Sequence, residues 1–148
     1  KTLISTIDSV ARQAGIKVLA PLRGKALGFV LAFKAYQAVA DHQSGIMVVQ
    51  PQGYLDFSYL SAHAMGVITD SGNVAEEATF NGVPCITLNS YTEHQETVTV
   101  GTNELVAEDP EKLQQAMEKI VKGEWKKGGI PDRWDGRSAE RIVQIICG

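Results

Sequence analysis

Short apolar runs alternate along this chain with longer segments of helical periodicity, and few architectures accept that alternation. The runs fall at residues 16–20, 46–50, 66–69, 84–88 and 104–107. Helical spacing of apolar residues covers 3–13, 25–41, 55–64, 73–80, 93–100, 111–121 and 137–146. A strand, a crossover helix and a second parallel strand form a right-handed unit. Repeating that unit predicts an α/β fold: a Rossmann-like parallel sheet with helices on both faces. The runs lack polar alternation, as expected for strands covered on both sides. The length of 148 residues fits one such domain, 1–148, with an apolar core that needs neither disulfides nor metal.

Turn chemistry supports the boundaries. Asp109-Pro110 supplies a helix cap followed by proline at the first helical position. Thr92 with Gln95 fits a capping box. Asn81-Gly82 stops one helix before Pro84 opens a strand, and Asp135-Gly136 precedes the final helix. Residues 123–136, rich in Gly, Pro, Trp and Lys, read as a long excursion within the domain.

Charge and cysteine usage exclude several classes. A formal charge of -3 with no basic stripe argues against nucleic acid as a partner. Lys122, Lys126 and Lys127 read as a solvated helix end. Cys85 lies in an apolar run and Cys147 beside the last residue, without metal-ligand spacing, so no metal is expected. Idle thiols suit a reducing cytoplasm. No cleavable signal is visible, and the most apolar window, 26–33, is too short to span a bilayer.

In an open α/β sheet, ligands bind beyond the carboxyl ends of the strands. This selects 21–25, 51–54, 70–73, 89–94 and 108–110. The richest of these is Thr69-Asp70-Ser71-Gly72-Asn73, where an apolar run meets a polar turn and a helix start. Unpaired amides and the helix dipole make such a turn a seat for phosphate, and Gly72 leaves room for close approach. Glu77, four residues after Asn73, lies one turn deeper on the same face and suits the paired hydroxyls of a ribose. Equally, Ser71 as a plain cap with Glu76 and Glu77 facing the dipole would explain the same residues. Glu76 points to solvent or a neighbouring loop. Phe57 and Tyr54 offer rings for a base, with Gln52 nearby for its edge, or they pack under a loop. His94 is placed to meet a phosphate or sugar oxygen, or lies at the surface. His63 reads as a local packing residue and His42 as exposed. No nucleophile elbow is present.

Several of these motifs occur together, in order, in one family. Thr69-Asp70-Ser71-Gly72, then Glu76-Glu77-Ala78 and Gly82-Val83-Pro84, resemble the C-terminal domain of the non-hydrolysing UDP-N-acetylglucosamine 2-epimerases. Pro51-x-x-Tyr54-Leu55-Asp56-Phe57, Thr92-Glu93, Glu96, Gly101-Thr102-Asn103 and Trp134-Asp135-Gly136-Arg137 with Ala139-Glu140-Arg141-Ile142 extend the likeness over about 49–147. The resemblance implies half of a glycosyltransferase-B-type fold, with an N-terminal domain absent from these residues. It implies that Ser71 and Gly72, with Asn73 and His94 nearby, hold the diphosphate of a UDP-sugar, Glu77 its ribose, and Gln52 and Phe57 its uracil. It implies an isomerase that interconverts UDP-GlcNAc and UDP-ManNAc by eliminating and re-adding UDP. The acid/base carboxylates would lie in the missing domain, so no catalytic residue, cofactor or metal is expected here. It further implies a cytoplasmic homodimer at full length, serving cell-surface polysaccharide biosynthesis. Two positions depart from the family pattern. His94-Gln95 stands where Arg-Pro is usual, and Pro21-Leu22-Arg23-Gly24 near a His-Pro-Arg-Thr-like turn. Another glycosyltransferase-B enzyme, or a degenerate non-catalytic binding domain, are the alternatives.

Overall fold

The computed structural model describes residues 2–21, 29–32, 46–49 and 53–148. The elements are α1 (Thr2–Ala14), β1 (Lys17–Pro21), β2 (Phe29–Ala32), β3 (Ile46–Val49), α2 (Tyr54–His63), β4 (Gly66–Thr69), α3 (Gly72–Phe80), β5 (Cys85–Thr87), α4 (Glu96–Thr99), β6 (Asn103–Leu105), α5 (Pro110–Lys122) and α6 (Ser138–Cys147). The strands form one sheet in the order β3-β1-β2-β4-β5-β6. β1 pairs with β3 in parallel, and β4, β5 and β6 pair in parallel. The parallel α/β architecture expected from the alternation is therefore present.

One strand was not expected. β2 runs antiparallel to both β1 and β4, and it lies inside the stretch 25–41 that periodicity assigns to a helix. Phe29-Val30-Leu31-Ala32 is a continuous apolar run, and such a run carries no period that separates a buried strand from a buried helix. The backbone groups of β1 and β4 that face one another require a partner, and β2 supplies it. The rest of 25–41 lies outside the described residues, as does His42. Because β2 alone is reversed, the other strands all deliver their carboxyl ends to one edge of the sheet.

The sheet's two faces carry separate cores. Ile68 and Ile86 face a cluster with Ile7, Val18, Leu113 and Met117, so α1 and α5 cover that side. Val67 and Cys85 face Ala75, Ala78 and Val83, so α3 covers the other. Successive residues of β4 and β5 thus feed opposite cores, as the two-residue period of a strand demands. Full burial of a side chain such as Ile86 stabilises the fold by roughly 1.5–3 kcal/mol.

Local signals set most boundaries. Asp109 accepts from the amides of Glu111 and Lys112 at 2.9 and 3.4 Å, with Pro110 at the first turn. Gly82, at φ 69°, ends the α3 segment, and Asp135 accepts from the Arg137 amide ahead of α6. The capping box at Thr92 does not form. Thr92 Oγ1 accepts from the His94 amide at 3.1 Å, which holds 92–94 as a turn and shortens the expected helix 93–100 to α4. Residues 123–136 are anchored rather than free. Trp125 Nε1 donates to the Thr102 carbonyl at 2.8 Å. Lys126, expected as a solvated helix end, instead donates to the carbonyls of Val98 and Asn103. Partial burial lowers the pKa of its ammonium below the usual lysine value.

Candidate functional site

Two loops leave the common edge side by side, one from β4 into α3 and one from β5 towards α4. The first is tied down by its own polar groups. The Ser71 amide donates to Thr69 Oγ1 at 3.0 Å, and Asn89 Nδ2 donates across to the Asp70 carbonyl at 3.0 Å. Ser71 occupies the cap position of α3 with extended backbone, yet its side chain makes no capping hydrogen bond. Helical geometry also leaves the first amides of α3, from Gly72 onward, without carbonyl partners. No acidic side chain lies in that first turn. That turn itself therefore carries no carboxylate to offset the helix's positive end, although Asp70 and Glu93 line the opening beside it.

The second loop is held from beneath by a buried polar chain. Thr87 Oγ1 donates to Asn103 Oδ1 at 2.7 Å, and Asn103 Nδ2 donates to Thr97 Oγ1 at 3.1 Å. Thr97 Oγ1 in turn donates to the His94 carbonyl at 2.6 Å. All three side chains are buried. Every step passes a hydrogen bond from core to loop, so the His94 backbone is fixed by residues of β5, β6 and α4. Motif reading did not assign this role to Asn103 or Thr97; a polar residue inside an apolar strand pattern was the available signal.

Between the loops lies a polar cavity of about 260 Å³, with Ser71, Gly72, Asn73, Asn89 and His94 among its walls. The structure thus brings together four of the residues singled out from the sequence. His94 Nδ1 lies 2.8 Å from Glu76 Oε1. Glu76 therefore meets the neighbouring loop, one of the two environments expected for it. The imidazole also lies against Gly72, where an added Cβ would fall 2.6 Å from His94 Cδ2. Glycine at 72 is what permits that approach.

Glu77 is not in this cavity. It lines a second, larger one of about 620 Å³ on the flank of α3, with Tyr54, Ser58, Phe80 and Trp134. The Ser58 hydroxyl there is buried without a protein partner. Phe57, half-buried on α2, is among the wall residues of neither cavity, whereas Tyr54 is. Gln52 lies outside the described residues.

Glu76, His94 and Glu96 bring potential ligand atoms within 4.8 Å of one another. Glu76 and His94 already approach each other through atoms that a cation would need, and we assign no metal to the group. Among the described residues, no helix is long and apolar enough to cross a membrane.

Comparison with known proteins agrees with this architecture. A family profile described as UDP-N-acetylglucosamine 2-epimerase matches residues 1–147. A UDP-N-acetylglucosamine 2-epimerase of Methanocaldococcus jannaschii is 46% identical over 103 residues, covering 68% of this chain and 27% of that protein. A crystal structure of the M. jannaschii enzyme in complex with UDP-GlcNAc and UDP matches at 45% identity with a TM-score of 0.56, covering 70% of this chain and 28% of that one. A crystal structure from Listeria monocytogenes covers 98% of this chain and 39% of its own, with 22% identity and a TM-score of 0.64. At that identity the likeness bears on fold alone, the Rossmann-like half of a glycosyltransferase-B type. The chain spans well under half the length of these relatives.

Proposed function

The chain belongs to the UDP-N-acetylglucosamine 2-epimerase family, and on that premise we propose that it is the nucleotide-sugar-binding domain of such an isomerase. In this reading Ser71, Gly72, Asn73 and His94 hold the diphosphate, and Glu77 holds the ribose on the flank of α3. Gln52 and Phe57 are assigned to the uracil. The observation that carries the reading is the convergence of those four diphosphate residues around the open N-terminus of α3. The UDP-GlcNAc and UDP bound in the M. jannaschii relative support the ligand class.

The chemistry follows from what an anion seat does. Elimination removes the C2 proton of the sugar and breaks its C1–O bond, leaving a 2-acetamidoglucal and UDP. Negative charge grows on the departing diphosphate, where helix amides and an imidazole stabilise it. Return of UDP to C1 with protonation of C2 from the opposite face completes the inversion. The carboxylates that move the C2 proton belong, in this proposal, to an N-terminal domain outside these residues. We place the full-length protein in the cytoplasm as a homodimer that supplies sugars for cell-surface polysaccharides.

Calorimetric titration of the 148-residue chain with UDP tests the reading. The expected result is weak binding, with no conversion of UDP-GlcNAc to UDP-ManNAc. Absence of binding at millimolar UDP would favour a non-catalytic role. Turnover by this chain alone would place the acid/base groups inside it.

A further inference from the structure

The imidazole of His94 presents two different edges to two different surroundings. Its Nδ1 faces Glu76 Oε1 at 2.8 Å. Its opposite edge faces Gly72, where an added Cβ would lie 2.6 Å from Cδ2 and 3.1 Å from Nε2. His94 and Gly72 both line the polar cavity at the start of α3. The His94 backbone is held separately, by Thr92 Oγ1 on its amide and Thr97 Oγ1 on its carbonyl. Backbone anchors do not choose the ring's orientation, and the side-chain group closest to Nδ1 is the Glu76 carboxylate.

Protonation decides what the cavity edge can do. An imidazole that gives Nδ1–H to Glu76 and carries no second proton leaves a lone pair on Nε2, which repels an oxyanion. With a proton on Nε2 the same atom becomes a charged donor. Several carboxylates surround the ring. Glu76 faces it from α3, Glu96 from α4, and Glu93 and Asp70 share the cavity wall. The described residues that line this cavity include no lysine or arginine.

We propose that Glu76 is a positioning residue that aims His94 Nε2 at the anion seat, so that binding of a diphosphate draws a proton from solvent onto that nitrogen. The pair is then a proton-coupled clamp, carboxylate to imidazolium to phosphate. The inference rests on the diphosphate reading of the cavity and adds how its charge is balanced.

Two measurements test it on the whole chain. Calorimetry of UDP binding near neutral pH, in two buffers of different ionisation enthalpy, counts the protons exchanged. Long-range proton–nitrogen spectra of the histidine rings show which nitrogen receives them. UDP should move His94 to the doubly protonated form. His94→Gln should remove the proton uptake and weaken UDP about tenfold, as expected for a lost charge-assisted bond. The difference from wild type separates His94 from the terminal phosphate's own titration. Glu76→Ala should weaken UDP by a similar factor, whereas Glu76→Gln should recover part of the affinity, since its amide oxygen still accepts from Nδ1–H. Uridine binding should be unchanged in all three.

Wild-type affinity in Glu76→Ala, or UDP binding without a change at the His94 nitrogens, overturns the clamp while leaving the diphosphate seat intact. A response that requires added divalent cation overturns it in favour of a metal at Glu76, His94 and Glu96. Complete absence of UDP binding overturns both readings together.

Discussion

Glu77 shows how much a single residue's placement decides. On the flank of α3 it stands clear of the cavity that holds Ser71 and Gly72. A carboxylate beside a bound phosphate would be repelled, whereas one turn away it is free to accept from neighbouring hydroxyls. Loss of a charge-assisted bond costs about 1.5–3 kcal/mol, so Glu77→Ala should weaken UDP by about tenfold or more. The same change should weaken 2′-deoxy-UDP much less, because that ligand offers no diol. Equal losses in paired calorimetric titrations would remove the ribose assignment.

At the scale of elements, α6 stands apart. None of its residues is buried, and Ile142, Val143, Ile145 and Ile146 are 54 to 82% exposed. Its first turn is nonetheless well built, with Arg141 paired to Asp135 and Arg137 to Glu140. A formed helix with a bare apolar stripe has the character of an interface. Replacing Ile142 and Ile146 by lysine in the isolated chain should therefore shift stability by no more than about 0.5 kcal/mol. A large drop in melting temperature would show that the stripe is packed in solution. Which elements were legible in the sequence follows the range of the forces that make them. Asp109-Pro110 and Asn81-Gly82 act within one turn, and both ends fall where those residues put them. The β4–α3 turn was legible for the same reason. β2 was not, because what makes it a strand is the open backbone of β1 and β4. Nor was the approach of His94 to Glu76, a tertiary contact between loops. Lys126 reads as solvated until the fold brings two carbonyls to it.

For the molecule as a whole, the thiol in the α3-side core makes a measurable mark on stability. Burial pushes the pKa of Cys85 up to about 12 from its ordinary 9.0. Above that ordinary value the unfolded chain has released a proton that the folded chain keeps. The contribution is therefore fully present below about pH 9 and falls as pH rises towards about 12. Denaturant unfolding from about pH 8 to about pH 11 should show a declining limb that is flatter in Cys85→Ala; parallel limbs would exclude the thiol as its source. A different kind of consequence follows from α3, which has one cavity at its tip and another on its side. Both openings are cut into a single rigid rod, so the spacing between them is a gauge of roughly 5 Å per turn. A guest that reached both notches would have to match that rise.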